Sequence, residues 1–557
     1  MDDGLSQALA PPAAPITAIP LDAPPADSVG LVDQYSGGFP ESLWENTEPE
    51  VARALALQLP HRYVNFAACR IAQRFLLSGA QPSKDGDEGA TGAFLEARVT
   101  ALAGIGDWTN ALALSELVPA ERRTPTMAHT RVDGLLITAK VDAACSEAQR
   151  GLTLSESGDD SYWQKVEVLC DAIEGKTAAA GLAIGLLREQ GVVDPAFFWA
   201  ADLLQGNAGP VPKDAKLSAL TFAMLRQAAT PLPADLVAAG DPSTLIVAAQ
   251  IAGAGTNDEA RLALLERAVA SGVVPPEVLR NAYAELSLKG EATDAEKIAL
   301  DTPRQRAATY QLAVAQSIPT ARAEVIARAL DLARDSDPTQ TQITPATIGL
   351  VFSEMVLQMP PSADLAWFAG TAVRVLIAAD HAGVVTAPSR LKTWLDLVQG
   401  MSATSEESAI VNSRLFPYRQ LLAGGPISSD VLQAWAATLK DMPPAQARAQ
   451  QEFLLGQLTT LGDPVSLDAW QGLLDGGEPL PAPTVAPPLA AWHALTAATV
   501  QRRLGEAVAL ALQLLGRVGI NPPSDLAVGR ALESLATLQR GADARAISVE
   551  LALDRGL

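Results

Sequence analysis

The chain has 557 residues, 48% of them hydrophobic and only 5% aromatic, with 41 Lys and Arg against 63 Asp and Glu for a net charge of −22. That composition supports a packed core and excludes wholesale disorder. An acidic chain with no basic run is expected to bind no nucleic acid and no anionic membrane surface.

Residues 1–40 are rich in Pro and Ala and lack periodicity, so they read as a disordered or extended tail. The first residues have no basic n-region and no apolar h-region. Their Ala/Pro-rich lead resembles the tether that follows a signal cleavage site in exported bacterial proteins. From about Glu45 onward helical patterning hardly stops. In the segment starting at Ala321, Ile326, Ala329, Leu330 and Ala333 fall on one stripe, with Glu324, Arg328, Asp331 and Asp335 opposite. Asp-Pro pairs at Asp194, Asp241, Asp337 and Asp463 suit an N-cap followed by Pro in the first turn. Thr256 to Glu259 reads as a capping box. Alternating β-branched runs are nearly absent, and TQTQIT from Thr339 reads as a loop. The longest nearly uncharged stretches, 177–187 and 245–257, fall short of the ~20 residues a spanning helix needs, so no membrane insertion is expected.

Turn spacing is the most informative pattern. Gly106, Ala139 and Gly175 each precede an Ala by five residues (Ala111, Ala144, Ala180) and lie 33 and 36 residues apart. Gly255 precedes Ala260 and Gly541 precedes Ala546 in the same way, and Gly505 lies 36 residues before Gly541. Small residues at a turn and early in the next helix let antiparallel helices approach closely, and a period near 34 is that of tetratricopeptide (TPR) repeats.

FLEARVTALAGIGDWTNALALSEL, beginning at Phe94, resembles a TPR hairpin, although the Trp, Tyr and closing Pro of that family are missing from most units. The chain as a whole resembles Ala-rich helical-repeat envelope proteins of alphaproteobacteria, some of them motility-associated periplasmic proteins of the MotC type. The resemblance rests on YWQKVEVLCDAIEGKTAAAGLAIGLLREQG from Tyr162, LGEAVALALQLLG from Leu504 and ADARAISVELALDRGL from Ala542. It points towards motility or envelope assembly.

The fold expected is all-α: an α-solenoid of antiparallel helical hairpins, TPR-like, over residues 41–474. DGGEPLPAPTVAPP, residues 475–488, interrupts it as a Pro-rich linker. Residues 489–557 then form C-terminal hairpins that cap the array or dock on it.

Candidate chemistry is sparse. Glu174-Gly175-Lys176-Thr177 matches the end of a P-loop, but Cys170 stands where the first Gly belongs and no strand precedes it. Asp85, Asp87 and Glu96 match three calcium-loop positions, whereas Gly89 and Ala90 do not fit the fifth and sixth. His61, His129, His381 and His493 are scattered, with no zinc-site spacing. Glu41-Ser42 matches the Glu-Ser of lytic transglycosylases without further parts of that domain. The Trp residues from Trp108 to Trp492 lie amid Ala in helical patterns and read as core, with one or two free to line a groove. No catalytic residue, cofactor-binding residue or metal ligand is assigned, and no cofactor is expected.

Cys145 and Cys170 flank the acidic loop SESGDD. Antiparallel helices about that loop would bring them to the same height, so they form the disulfide candidate, with two unpaired buried thiols as the alternative. The absence of C-x-x-C spacing argues against a redox pair. Cys69 reads as a buried free thiol. A bridge would fit an oxidising compartment, so periplasmic location after signal removal is expected ahead of cytoplasmic. The function expected is a scaffold or adaptor binding another protein; the alternatives are an enzyme with a dispersed active site and a cytosolic peptide-binding regulator.

Overall fold

A computed structural model describes residues 25–80, 82, 92–120, 123–154, 161–207, 209–213, 215–233, 258–272, 274–288, 298–335, 344–474, 488–517 and 523–557. Among the described residues there are 26 α-helices and no strand, only two isolated β-bridges. The chain is an α-solenoid in which successive helices pair antiparallel with their neighbours in sequence.

Local chemistry explains the helices. Asp194 caps Pro195–Leu204, its side chain accepting from Phe197 N at 3.1 Å, with Pro195 in the first turn. Asp463 does no such work: its carboxylate holds Arg545 at 2.8 Å and accepts from Gly425 N at 3.1 Å, while the next helix starts at Leu467. The other two Asp-Pro pairs and the start of the expected capping box lie outside the described residues. A capping box is formed instead by Thr302 and Gln305 at the start of Pro303–Ala315. The apolar stripe on Pro319–Asp335 is buried, Ile326 and Ala329 completely.

The hairpin turns share one geometry. Gly106, Ala139 and Gly175 all have left-handed φ, at 96°, 65° and 76°. At each, the N–H of the following residue donates to the carbonyl five positions back: Asp107 to Leu102, Lys140 to Leu135, Lys176 to Asp171. Ala111, Ala144 and Ala180, five residues on, are buried where the helices meet. In the C-terminal hairpins the expected register is displaced. The left-handed residues there are Arg502 and Gln539, and the buried alanines five residues on are Ala507 and Ala544. Gly505 and Gly541 lie inside the helices Leu504–Leu514 and Gly541–Asp554.

The two ends of the array meet. Tyr63 and Gly516 form an antiparallel bridge, with Val64 N donating to Leu515 O and Arg517 N to Arg62 O, both at 2.9 Å. Gly505 lies so close to Trp44 that a Cβ there would fall 2.5 Å from the indole. The terminal helix Gly541–Asp554 packs against Phe66–Leu77, Pro345–Gln358, Ala369–His381, Phe416–Ala423 and Asp525–Thr537. It is the shared core element of segments far apart in sequence. The stretch expected as tail is packed from Ala26 onward: Phe39 is buried, and Asp27 Oδ1 accepts from Leu95 N at 2.8 Å. Buried Arg98 fixes this segment by donating to the carbonyls of Leu76, Val29 and Ser78 at 2.7, 2.7 and 2.8 Å. Residues 1–24 and the linker residues 475–487 lie outside the described residues.

Candidate functional site

A cavity of about 490 Å³ opens between Ser161–Ile173, Thr177–Glu189 and Pro195–Leu204. The middle helix creates it. Ala180, Ile184 and Leu187 bury one face against the array, while Gly181 leaves the adjoining strip of backbone uncovered. A Cβ at Gly181 would meet only Gln205 Nε2, at 3.6 Å. Val168, Ala172, Ala201 and Leu204 supply the apolar walls, and Thr177 and Gln205 supply the polar groups. The lining has no ionisable side chain, so the groove offers shape and apolar surface but no acid, base or nucleophile. On the opposite face of the same helix Leu182 is 77% exposed and Leu186 47%, so this helix turns apolar residues in two directions.

Polar contacts brace the walls. Lys165 Nζ is 2.9 Å from Asp194 Oδ2, tying the first wall to the cap of the third. Arg188 Nη2 is 2.9 Å from Asp202 Oδ1, and its guanidinium lies over Phe198. The disulfide between Cys145 and Cys170, with Cα atoms 5.9 Å apart, joins Ser161–Ile173 to the preceding helix Val141–Leu154. The loop SESGDD lies outside the described residues.

The remaining sequence candidates fall elsewhere. Lys176 turns back onto Glu174 at 2.6 Å, so the P-loop-like stretch is a hairpin turn between two helices. Asp85 and Asp87 lie outside the described residues; Glu96 accepts a hydrogen bond from Thr124. Glu41 opens a short 3-10 turn ahead of buried Leu43 and Trp44. The histidines remain apart. His61 abuts Gly104, His493 is exposed, and His381 contacts Glu550. His129 stacks on the Tyr162 ring at 3.7 Å, and Tyr162 donates to Asp133 at 2.7 Å. Burial pushes the Asp133 carboxyl up, opposed by His129 and by that hydrogen bond. Among the described residues no group of three His, Cys, Asp or Glu is placed to hold a metal. Cys69 is buried, and burial pushes its thiol up to about 12. Trp44, Trp394 and Trp435 are fully buried, and no Trp lines the groove.

Two features escaped the sequence reading. The groove arises from TAAAGLAIG, which reads as an ordinary hairpin; its signal is a helix apolar on two opposite faces. The buried contact of His381 with Glu550 carries no local signal at all.

No protein-family model matches the chain, and no curated protein matches it. Two solved structures do: the pentatricopeptide repeat protein PPR10 in complex with an 18-nucleotide psaJ RNA element, and a cysteine-to-serine variant of it with the same RNA. Each is 13% identical, with 83% of this chain and 74% of that chain covered, at a TM-score of 0.17. The chain's class is given by its own fold: an all-α helical-repeat solenoid. A likeness this distant carries nothing finer. The exclusion of nucleic acid stands corrected all the same, because it rested on a whole-chain charge. Such a sum does not constrain a local patch.

Proposed function

We propose that this protein is a non-catalytic helical-repeat scaffold that binds a protein segment in the groove beside Gly181. The observation that carries the reading is a cavity of about 490 Å³ walled by small and apolar side chains with no ionisable group. Such a surface buries an apolar anchor residue. We place the protein in an oxidising compartment, the bacterial periplasm. The Cys145–Cys170 disulfide supports that placement. The motility association rests on the resemblance of three helical phrases alone. The division at the 475–488 linker belongs to the same proposal.

The test is photo-crosslinking from position 205, on the exposed rim of the groove, in envelope extract with and without nuclease. A nuclease-resistant protein adduct that disappears in Gly181→Leu supports the reading. Gly181→Leu fills the groove while improving helix propensity, so folding is preserved. A nuclease-sensitive adduct, or an adduct indifferent to Gly181→Leu, overturns it.

A further inference from the structure

The closure of the array is held at its centre by a buried cluster of ionisable groups. His381 Nδ1 lies 3.1 Å from Glu550 Oε1, with side chains 7% and 1% exposed. The pair is close enough to be ionic yet misaligned for a hydrogen bond, so Nδ1 and Oε1 have no hydrogen-bond partner. The other oxygen of Glu550 accepts from Ala67 N at 2.8 Å, and Asn65 Nδ2 donates to Ile547 O at 2.9 Å. One turn beyond Glu550, Asp554 is half-buried, with its Oδ1 closed off from solvent and without a hydrogen-bond partner. Phe66–Leu77 and Ala369–His381 thus converge on Glu550 of the last helix, with Asp554 one turn beyond it.

We propose that this cluster is a protonation latch: with His381 charged and Asp554 neutral the terminal helix is locked against Phe66–Leu77 and Ala369–His381, and loss of those two protons releases it.

The surrounding charges set the direction. Burial opposes the charged imidazole of His381, but Glu550 and the neighbouring Asp380 outweigh it and Arg70 opposes them, leaving His381 above its ordinary value. Burial, followed by repulsion from Glu550, raises the Asp554 carboxyl to about 7, with Arg517 and Arg555 pulling the other way. From Phe66–Leu77 the cluster also faces Cys69, which feels Glu550 and Asp107. From Phe416–Ala423 it faces Tyr418, which feels Arg374, Arg334 and Asp554. Arg555 is itself paired with Asp525.

Both groups act with the same sign. Each binds its proton more tightly when folded than when unfolded. The stabilisation from His381 is fully present below its ordinary value of 6.5 and is lost as pH rises through the higher folded value. That from Asp554 is fully present below 3.8 and is lost as pH rises through about 7. Rising pH therefore weakens the closure, the reverse of the usual behaviour of salt-bridged carboxylates.

Hydrogen exchange on the full chain, corrected for intrinsic rates, tests this between about pH 5 and pH 8. Protection of 541–554 and of the Ala67 amide is expected to fall as pH rises, by up to about tenfold per pH unit for each proton lost. Asp554→Asn, a neutral mimic of the protonated acid, should keep the helix protected and flatten the profile below about pH 7. His381→Gln should flatten the part that begins at about pH 6.5. The helix Pro125–Ile137, remote from the cluster, serves as the control. Protection that rises with pH, profiles unchanged in both variants, or a parallel loss in Pro125–Ile137 would overturn the latch.

Discussion

Two regions of this molecule are built on opposite rules. Between Trp108 and Leu204 most helices pack on their sequence neighbours, several through left-handed turns and buried alanines, and the open groove lies at the far end of that run. At the closure, Trp44, Ala67, His381 and Glu550 depend on partners hundreds of residues away: Ala67 and Glu550 are separated by 483 positions. The first region is local and leaves surface free. The second is non-local and buries polar groups, where each unpaired one is costly. A solenoid whose ends meet gains rigidity at the seam and keeps its adaptable surface away from it.

The largest effect is expected where the first described residues pack on the array. Arg98→Met removes three hydrogen bonds from buried carbonyls at once and is expected to cost about 3 kcal/mol or more, read as a shift in urea midpoint. A cost near zero would mean that the first described residues are not part of the core. The matching test in the local region is Cys145→Ser with Cys170→Ser. A bridge spanning 25 positions is expected to contribute roughly 3 kcal/mol in the chain-entropy model. Because the contacts there are local, exchange should speed up mainly in Ser161–Ile173 and its neighbours, while 541–554 stays protected. Equal loosening at both places would erase the distinction.

One substitution type should change sign between the regions. Gly505→Ala drives a Cβ to 2.5 Å from the Trp44 ring and 2.7 Å from Leu43 O, where backbone cannot give way, and should cost roughly 1–3 kcal/mol. Gly185→Ala meets nothing within 4 Å and should gain up to about 1 kcal/mol from helix propensity. Thermal melts of the two variants, shifting in opposite directions, are the expected result.

These differences also mark what the sequence could reveal. The Ile326–Leu330 stripe, the Asp194 cap and the turns at Gly106 and Gly175 are set by periodicities within one or two helices, so the residues announce them. The register at the C-terminal hairpins is displaced because a glycine is expected in the turn, whereas Arg502 and Gln539 take the left-handed position, Gly505 packs inside its helix and Gly541 opens the next. Asp463 reads as a cap from its own neighbourhood and is diverted by Arg545, 82 positions away. The groove needs three helices and the latch three distant segments, and neither leaves a spacing in the chain. The exclusion of nucleic acid failed for a related reason: a total charge carries no information about where charges gather.

The smallest test asks whether the turns are the same device in both regions. Ala139 and Gln539 hold φ of 65° and 62°, a conformation that costs a side-chain-bearing residue about 1–2 kcal/mol and glycine almost nothing. Glycine gives part of that back through its larger unfolded-state entropy, so Ala139→Gly and Gln539→Gly should each stabilise by roughly 0.5–1 kcal/mol. If both turns are purely local the two gains should agree, since both close with the same bond from the following amide, Lys140 to Leu135 and Arg540 to Leu535, each at 2.8 Å. A loss at Gln539 against a gain at Ala139 in paired thermal melts would show that the seam, rather than the turn, dictates the backbone there. The non-local rule would then extend into the hairpin that carries the latch.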